Sequence, residues 1–179
     1  RACHIQGIKL MTTHLFVYAC LTIGLFTALV GGVFQAFSDF VMAGIIRAAP
    51  AGGIDSMQQI NRTVFRSAFL AITLALAPIM LAASLYAWQS LEGSPKILIL
   101  IGTAIYMTAV LGVTMFGNVP MNKHLDGLTP SSPDAAIYWK KFGTVWTGWN
   151  HVRTFGAIIA AICFLLAATG LPDTLAAMT

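Results

Sequence analysis

Four apolar stretches constrain this chain more than anything else in it. Each comes close to the roughly 20 residues that an α-helix needs to cross the hydrocarbon of a bilayer. They cover about residues 13–37, 65–91, 97–116 and 151–171, with boundaries that a hydropathy pattern places to within a few residues. In lipid every backbone N–H and C=O must be satisfied inside the segment, so apolar stretches of this length become helices. The predicted fold is all-α: an integral membrane four-helix bundle with two long loops on one membrane face. The composition agrees, since 58% of the 179 residues are hydrophobic and 9% are charged, against about a quarter charged in a soluble domain.

Residues 13–171 are expected to form a single four-helix transmembrane domain. Residues 1–12 read as an N-terminal extension, because Met11-Thr12-Thr13-His14 looks like a translation start, and residues 172–179 read as a C-terminal tail. The first apolar run exceeds the roughly 7–15 residues of a signal-peptide core, so it is read as a retained helix. Glu92-Gly93-Ser94-Pro95 makes a tight turn between spans two and three. The other connections are longer, about twenty-seven and about thirty-four residues. Four spans place both termini and the tight turn on one side, and both long connections on the other. Arg47, Arg62, Arg66, Lys123, Lys140, Lys141 and Arg153 fall on the long-loop side, against Arg1, Lys9 and Lys96 on the other. The positive-inside rule then puts the long loops in the cytoplasm, with the bacterial inner membrane as the expected location. The net charge of +4 is spread without a basic stripe, which excludes nucleic acid and leaves the lipid bilayer as the expected partner.

Small residues recur every fourth position on span one, at Gly24, Ala28, Gly32 and Ala36, and on span four at Gly156 and Ala160. Such faces let helix backbones approach closely. Pro78 is expected to kink span two, with a cavity beside the kink as the alternative. Cys3, Cys20 and Cys163 form neither a disulfide framework nor a zinc motif. His151 and His124 lack a carboxylate or second histidine at ligand spacing, so no metal site is predicted. No span has a central histidine for haem and no glycine-rich nucleotide loop is present, so no cofactor is predicted either.

The polar residues beside these apolar stretches are the candidates for function, because polar groups at membrane depth are costly. Trp146, Asn150 and Arg153 are spaced i, i+4, i+7 and share one helical face, with Trp149 also an i, i+4 neighbour of Arg153. An arginine here needs a carboxylate, carbonyl or ligand oxygen as its partner. In Asn118-Val119-Pro120-Met121-Asn122 the proline is expected to break span three near residues 117–120, freeing backbone groups that the two amides can satisfy. Asp39, between aromatics at the end of span one, reads either as a cap or as the anionic partner of Arg66 or Arg153. Asn61 and Arg66 open span two, after a segment that can lie along the membrane surface. Each reading has a bland counterpart: tryptophans in an aromatic belt, a snorkelling arginine, and asparagines as turn formers.

These residues also carry a resemblance. The runs at residues 36–42, 57–61, 118–122 and 146–154 resemble the anthrone-oxygenase-like family of small four-helix membrane proteins, and the likeness extends from about Leu15 onward. The resemblance implies oxidation of anthrones to anthraquinones without a conventional cofactor, or binding of a similar hydrophobic, quinone-like aromatic molecule. On that implication Asn118, Asn122 and Asn150 hold carbonyl and phenol oxygens, with Asn61 and Arg66 beside them. Arg153 stabilises the anion, Trp146 or Trp149 stacks on the ring, and Asp39 or His151 serves as general base. The alternative is a non-catalytic accessory subunit that packs in a larger membrane complex or a homo-oligomer, its polar residues serving as interhelical glue.

Overall fold

A computed structural model describes the backbone of residues 2–176 and the side chains of residue 11 and residues 14–171. The described chain is helical almost throughout. Helix α1 (Ala2–Ala36) passes through one π-helical turn, Phe37–Val41, into α2 (Met42–Arg47). Helix α3 (Pro50–Val64) turns aside, and α4 (Ala68–Ser90) crosses back. Helix α5 (Gly93–Ile105) continues through π-helical stretches at Tyr106–Gly112 and Thr114–Asn118 into α6 (Val119–Asp126), and α7 (Pro133–Ala176) closes the bundle. Four of these rods, His14–Arg47, Ala68–Ser90, Gly93–Asp126 and Pro133–Leu171, are long and apolar enough to cross a membrane. This is an integral membrane helical bundle.

Local chemistry sets the boundaries. Pro50 holds Ala49 in an extended conformation (φ −55°, ψ 135°) and then opens α3 at its first turn, where a missing N–H costs nothing. Ser67 is extended and its hydroxyl accepts from Leu70 N, which caps α4. Ser132 does the same for Ala135 N at the head of α7, one residue before Pro133. Gly93 takes φ 69° in the α4–α5 turn, a conformation that a side chain would oppose.

The two long connections are themselves mostly helix. α7 starts at Pro133 rather than near residue 151, and α1 runs on through α2 to Arg47. Its 44 residues make α7 roughly 66 Å long at 1.5 Å per residue, more than twice a hydrocarbon core of about 30 Å. It also continues through Ala176, past the expected boundary at 171, while residues 177–179 of the expected tail lie outside the described residues. Residues 2–12 belong to the same continuous helix α1.

Two hydrophobic cores are stacked along α7. The first, within the bundle, gathers Ile23, Val30, Phe34, Met80, Ile99, Tyr106, Val110 and Phe164. The second lies beyond it and gathers Met42, Ile54, Met57, Leu125, Trp139, Phe142 and Trp146. Rings stack in series there, Trp139 on Phe142 at 5.5 Å and Phe142 on Trp146 at 5.6 Å.

The small-residue face of α1 differs from the expected one. Gly24, Thr27 and Gly31 are buried while Ala28 and Gly32 are exposed, so the helix is turned by one position. A Cβ on Gly24 would lie 2.7 Å from Leu165 of α7, whereas one on Gly32 would meet nothing. Gly156 packs as closely, its hypothetical Cβ being 2.6 Å from Ala109 Cβ. Pro78 sits within α4 on the exposed side.

The third span does not break at Pro120. Val119 keeps helical angles (φ −63°, ψ −43°), and its N–H reaches the carbonyl of Thr114, five residues back. The π-helical register absorbs the proline, which then opens α6. The chain bends its hydrogen bonding instead of losing its helix.

Candidate functional site

Between the two cores lies a polar layer. Along α7 it falls after Trp146 and before Ala157, along α1 between Phe34 and Met42, and along the third span between Val110 and Leu125. Buried there are Ser38, Asn118, Asn150, Arg153 and Thr154, with Asn61 of α3 nearby. Beside them is a cavity of about 570 Å³, whose lining includes Phe34, Asn61, Asn118, Asn122, Trp146 and Arg153. That volume is in the range of ligand pockets, roughly 300–1,000 Å³.

Asn150 organises the layer. Its Nδ2 donates to the backbone oxygen of Phe34 at 2.7 Å and to Ser38 Oγ at 2.6 Å. Both amide hydrogens are thereby used on the first span, which turns Oδ1 toward α7, where it accepts from Arg153 Nη2. The π-helical turn at Phe37–Val41 carries this Ser38, buried, and leaves Asp39 exposed. Asn150 is thus a positioning residue for Arg153, with every polar atom of its amide engaged.

Arg153 is 7% exposed and has no carboxylate partner. Among the described residues the one ion pair is Arg62 with Asp126, at 2.8 Å near the surface. The guanidinium lies 4.4 Å over the Phe34 ring and 5.5 Å from the Trp146 ring, so aromatic faces supply part of its solvation. Its Nη1 reaches Thr114 Oγ1 only at 3.5 Å, and its Nε has no partner. A guanidinium has five N–H donors; this one leaves most of them unmet.

The amides of the third span complete the layer. Asn118 Nδ2 donates to the backbone oxygen of Trp146 at 3.1 Å, while its Oδ1 is buried without a partner. Asn122 Oδ1 accepts from Trp146 Nε1 at 2.7 Å, fixing the indole at the cavity wall. Asn61 Nδ2 is a third buried atom without a partner. The site therefore offers unmet donors on Arg153 and Asn61 and one unmet acceptor on Asn118.

Of the residues singled out from sequence, Asn61, Asn118, Asn122, Trp146, Asn150 and Arg153 come together around the cavity. Asp39, Arg66 and His151 do not, because all three are exposed and border no part of it. Asp39 pairs with neither Arg66 nor Arg153. The reason is register: one position from Ser38 or Asn150, a side chain points away from the layer. Trp149 lies over Gly117, where a Cβ would come within 3.0 Å of its ring, and so packs helix on helix instead of facing the cavity. Phe34, Ser38 and Thr114 join the site without having been singled out. Thr114 stands four residues before Asn118, a spacing that would have revealed it; Phe34 carries no polar signal at all.

No group of three or more His, Cys, Asp or Glu side chains among the described residues is arranged to hold a metal ion. A profile described as anthrone oxygenase matches residues 61–163. The chain belongs to the anthrone oxygenase family. The matched segment covers more than half of the 179 residues. It takes in every cavity residue named from sequence, and it leaves outside α1 and the run at residues 36–42. No curated protein and no solved structure matches the chain. Phe34, which also lines the cavity, lies outside the match.

Proposed function

We propose that the cavity binds a hydrophobic aromatic molecule bearing an ionisable oxygen, and that the protein oxidises an anthrone-like substrate there. The observation that carries this reading is Arg153: a buried cation with no carboxylate partner and an unpartnered Nε beside a 570 Å³ cavity. Taking an ion out of water costs several kcal/mol unless it is paired. An enolate or phenolate oxygen would supply that pairing, and the apolar lining would hold the rings.

The chemistry then follows from charge placement. An anthrone carries a methylene group opposite its ring carbonyl, and loss of a proton from that methylene gives an aromatic enolate. Arg153 stabilises the developing oxyanion in a site of low polarity, where such stabilisation is strongest. Asn61 donates to the same class of oxygen, and Asn118 Oδ1 accepts from a neighbouring phenol. Neither Asp39 nor His151 reaches the cavity, so the proton leaves to water at the rim formed by Arg62, Lys123 and Asp126. The electron-rich carbanion position reacts with dioxygen. One oxygen atom ends as the new carbonyl and the other leaves as water, so the CH₂ carbon is oxidised by four electrons and O₂ is reduced by four.

The test is dioxygen uptake by the detergent-purified protein with 1,8-dihydroxyanthrone. The expected result is one O₂ consumed per anthraquinone formed, above the spontaneous rate, with loss of about tenfold or more in Arg153→Met. Turnover at the spontaneous rate, together with stable co-purification of a larger membrane protein, would favour the accessory-subunit reading instead.

A further inference from the structure

The same cavity has a side opening, and the geometry points to substrate arriving through it from the lipid phase; this inference rests on the reading that the cavity holds an aromatic anion. Helices α4 and α5 are laced together by Ser84 Oγ to Thr103 Oγ1 at 2.8 Å and by Thr103 Oγ1 to the Met80 carbonyl at 3.4 Å. The last tie is Tyr106 hydroxyl to the Thr73 carbonyl, at 2.8 Å. Tyr106 is also where the third span changes to π-helical register. Beyond it the backbones of the two π-helical stretches stand apart from α4. A π-helical insertion shifts the helix axis and its face, and such insertions cluster at functional sites.

The cavity occupies the wedge that results. Phe69, Leu70 and Thr73 of α4 form one side, and Thr114, Asn118 and Val119 form the other. Both sides belong to helices long and apolar enough to cross a membrane. Phe65 is 72% exposed while lining the cavity, and Phe116, on the third span between Thr114 and Asn118, is 83% exposed. Large apolar side chains with that exposure belong in lipid, not water. The water-facing end is held down instead. Gln58 Nε2 of α3 donates to the carbonyls of Leu125 and Leu128, both at 2.8 Å, and Arg62 pairs with Asp126. These ties cross the aqueous end against a ring-sized substrate, though not against water and protons, and no hydrogen bond among the described residues joins α4 to the third span beyond Tyr106.

A substrate taken from the bilayer is one that partitions there: an uncharged, lipophilic phenol or anthrone that ionises only after its oxygen meets Arg153. The experiment follows the association rate of 1,8-dihydroxyanthrone with the protein in liposomes by quenching of tryptophan fluorescence, with anthraquinone-2-sulfonate as a probe that stays in water. At fixed protein and probe, added lipid dilutes the probe within the membrane. The expected result is a rate that falls in proportion to that dilution. Leu70→Trp and Val119→Trp, which narrow the wedge, are expected to slow association by about tenfold. A rate that tracks the aqueous concentration, or the sulfonate associating as fast as the anthrone, would overturn lateral access while leaving the cavity reading intact. Failure of the wild-type protein to bind either probe would overturn both.

Discussion

Arg153 carries a charge into a layer that holds no carboxylate to receive it, and two substitutions separate what it does from what it holds together. Replacing a buried ion by an apolar side chain of similar length is often neutral or stabilising, because desolvation is relieved. Arg153→Met is therefore expected to lower stability by no more than about 1 kcal/mol, read from thermal unfolding in detergent, while binding of hydroxyanthraquinones falls at least about tenfold. Asn150→Leu should behave oppositely in stability. It strips Ser38 and the Phe34 carbonyl of their donor and leaves Arg153 without its best acceptor, a loss of about 2–4 kcal/mol. Much of this was legible in the chain, because the spacing of Trp146, Asn150 and Arg153 fixes a helical face whatever the tertiary structure. The direction of Asp39 was not, since it depends on whether Ser38 or its neighbour faces inward through a π-helical turn. Phe34 was invisible for a different reason: a phenylalanine in an apolar run signals nothing until a cation is found over it.

Helices here are placed by close approach at glycine and by side-chain bonds at their ends. Gly156→Val has no room, with Ala109 Cβ only 2.6 Å from where its Cβ would stand. It is expected to cost about 1–3 kcal/mol or force the third span and α7 apart. Gly32→Ala, on an open face of α1, should be neutral or slightly stabilising through helix propensity. Thermal unfolding of the two variants side by side checks the contrast. For α3 the test is local: Gln58→Ala removes its bonds to Leu125 of α6 and to Leu128 just beyond it. Hydrogen exchange is then expected to speed up in residues 50–64 with little change in α7. The number of spans and the tight turn at Gly93 were readable from hydropathy and turn chemistry. The two long connections misled as loops because their polar residues broke the apolar pattern without breaking the helix. Pro120 misled similarly, because a proline is a helix breaker only where the register has no spare turn to absorb it.

The whole molecule is two cores with a polar seam, and only the seam's residues, not its shape, can be read along the chain. A cavity is a property of how α4 departs from the third span beyond Thr73 and Tyr106, and no local pattern encodes that divergence. The family match over residues 61–163 takes in Asn61 of α3 and the seam's third-span and α7 walls. In the proposed function the unpaired cation is what would make the seam a recognition site. The most direct measurement is the ionisation of 1,8-dihydroxyanthraquinone bound to the purified protein, followed by the absorption of its phenolate as pH is raised. A cation beside the oxygen favours the anion, so the bound phenol should ionise about one pH unit or more below the free molecule in detergent. That lowering should vanish in Arg153→Met. A bound phenol whose ionisation is unchanged or raised, as burial alone would make it, or is lowered equally in Arg153→Met, would contradict the assignment of Arg153 as the anion's partner.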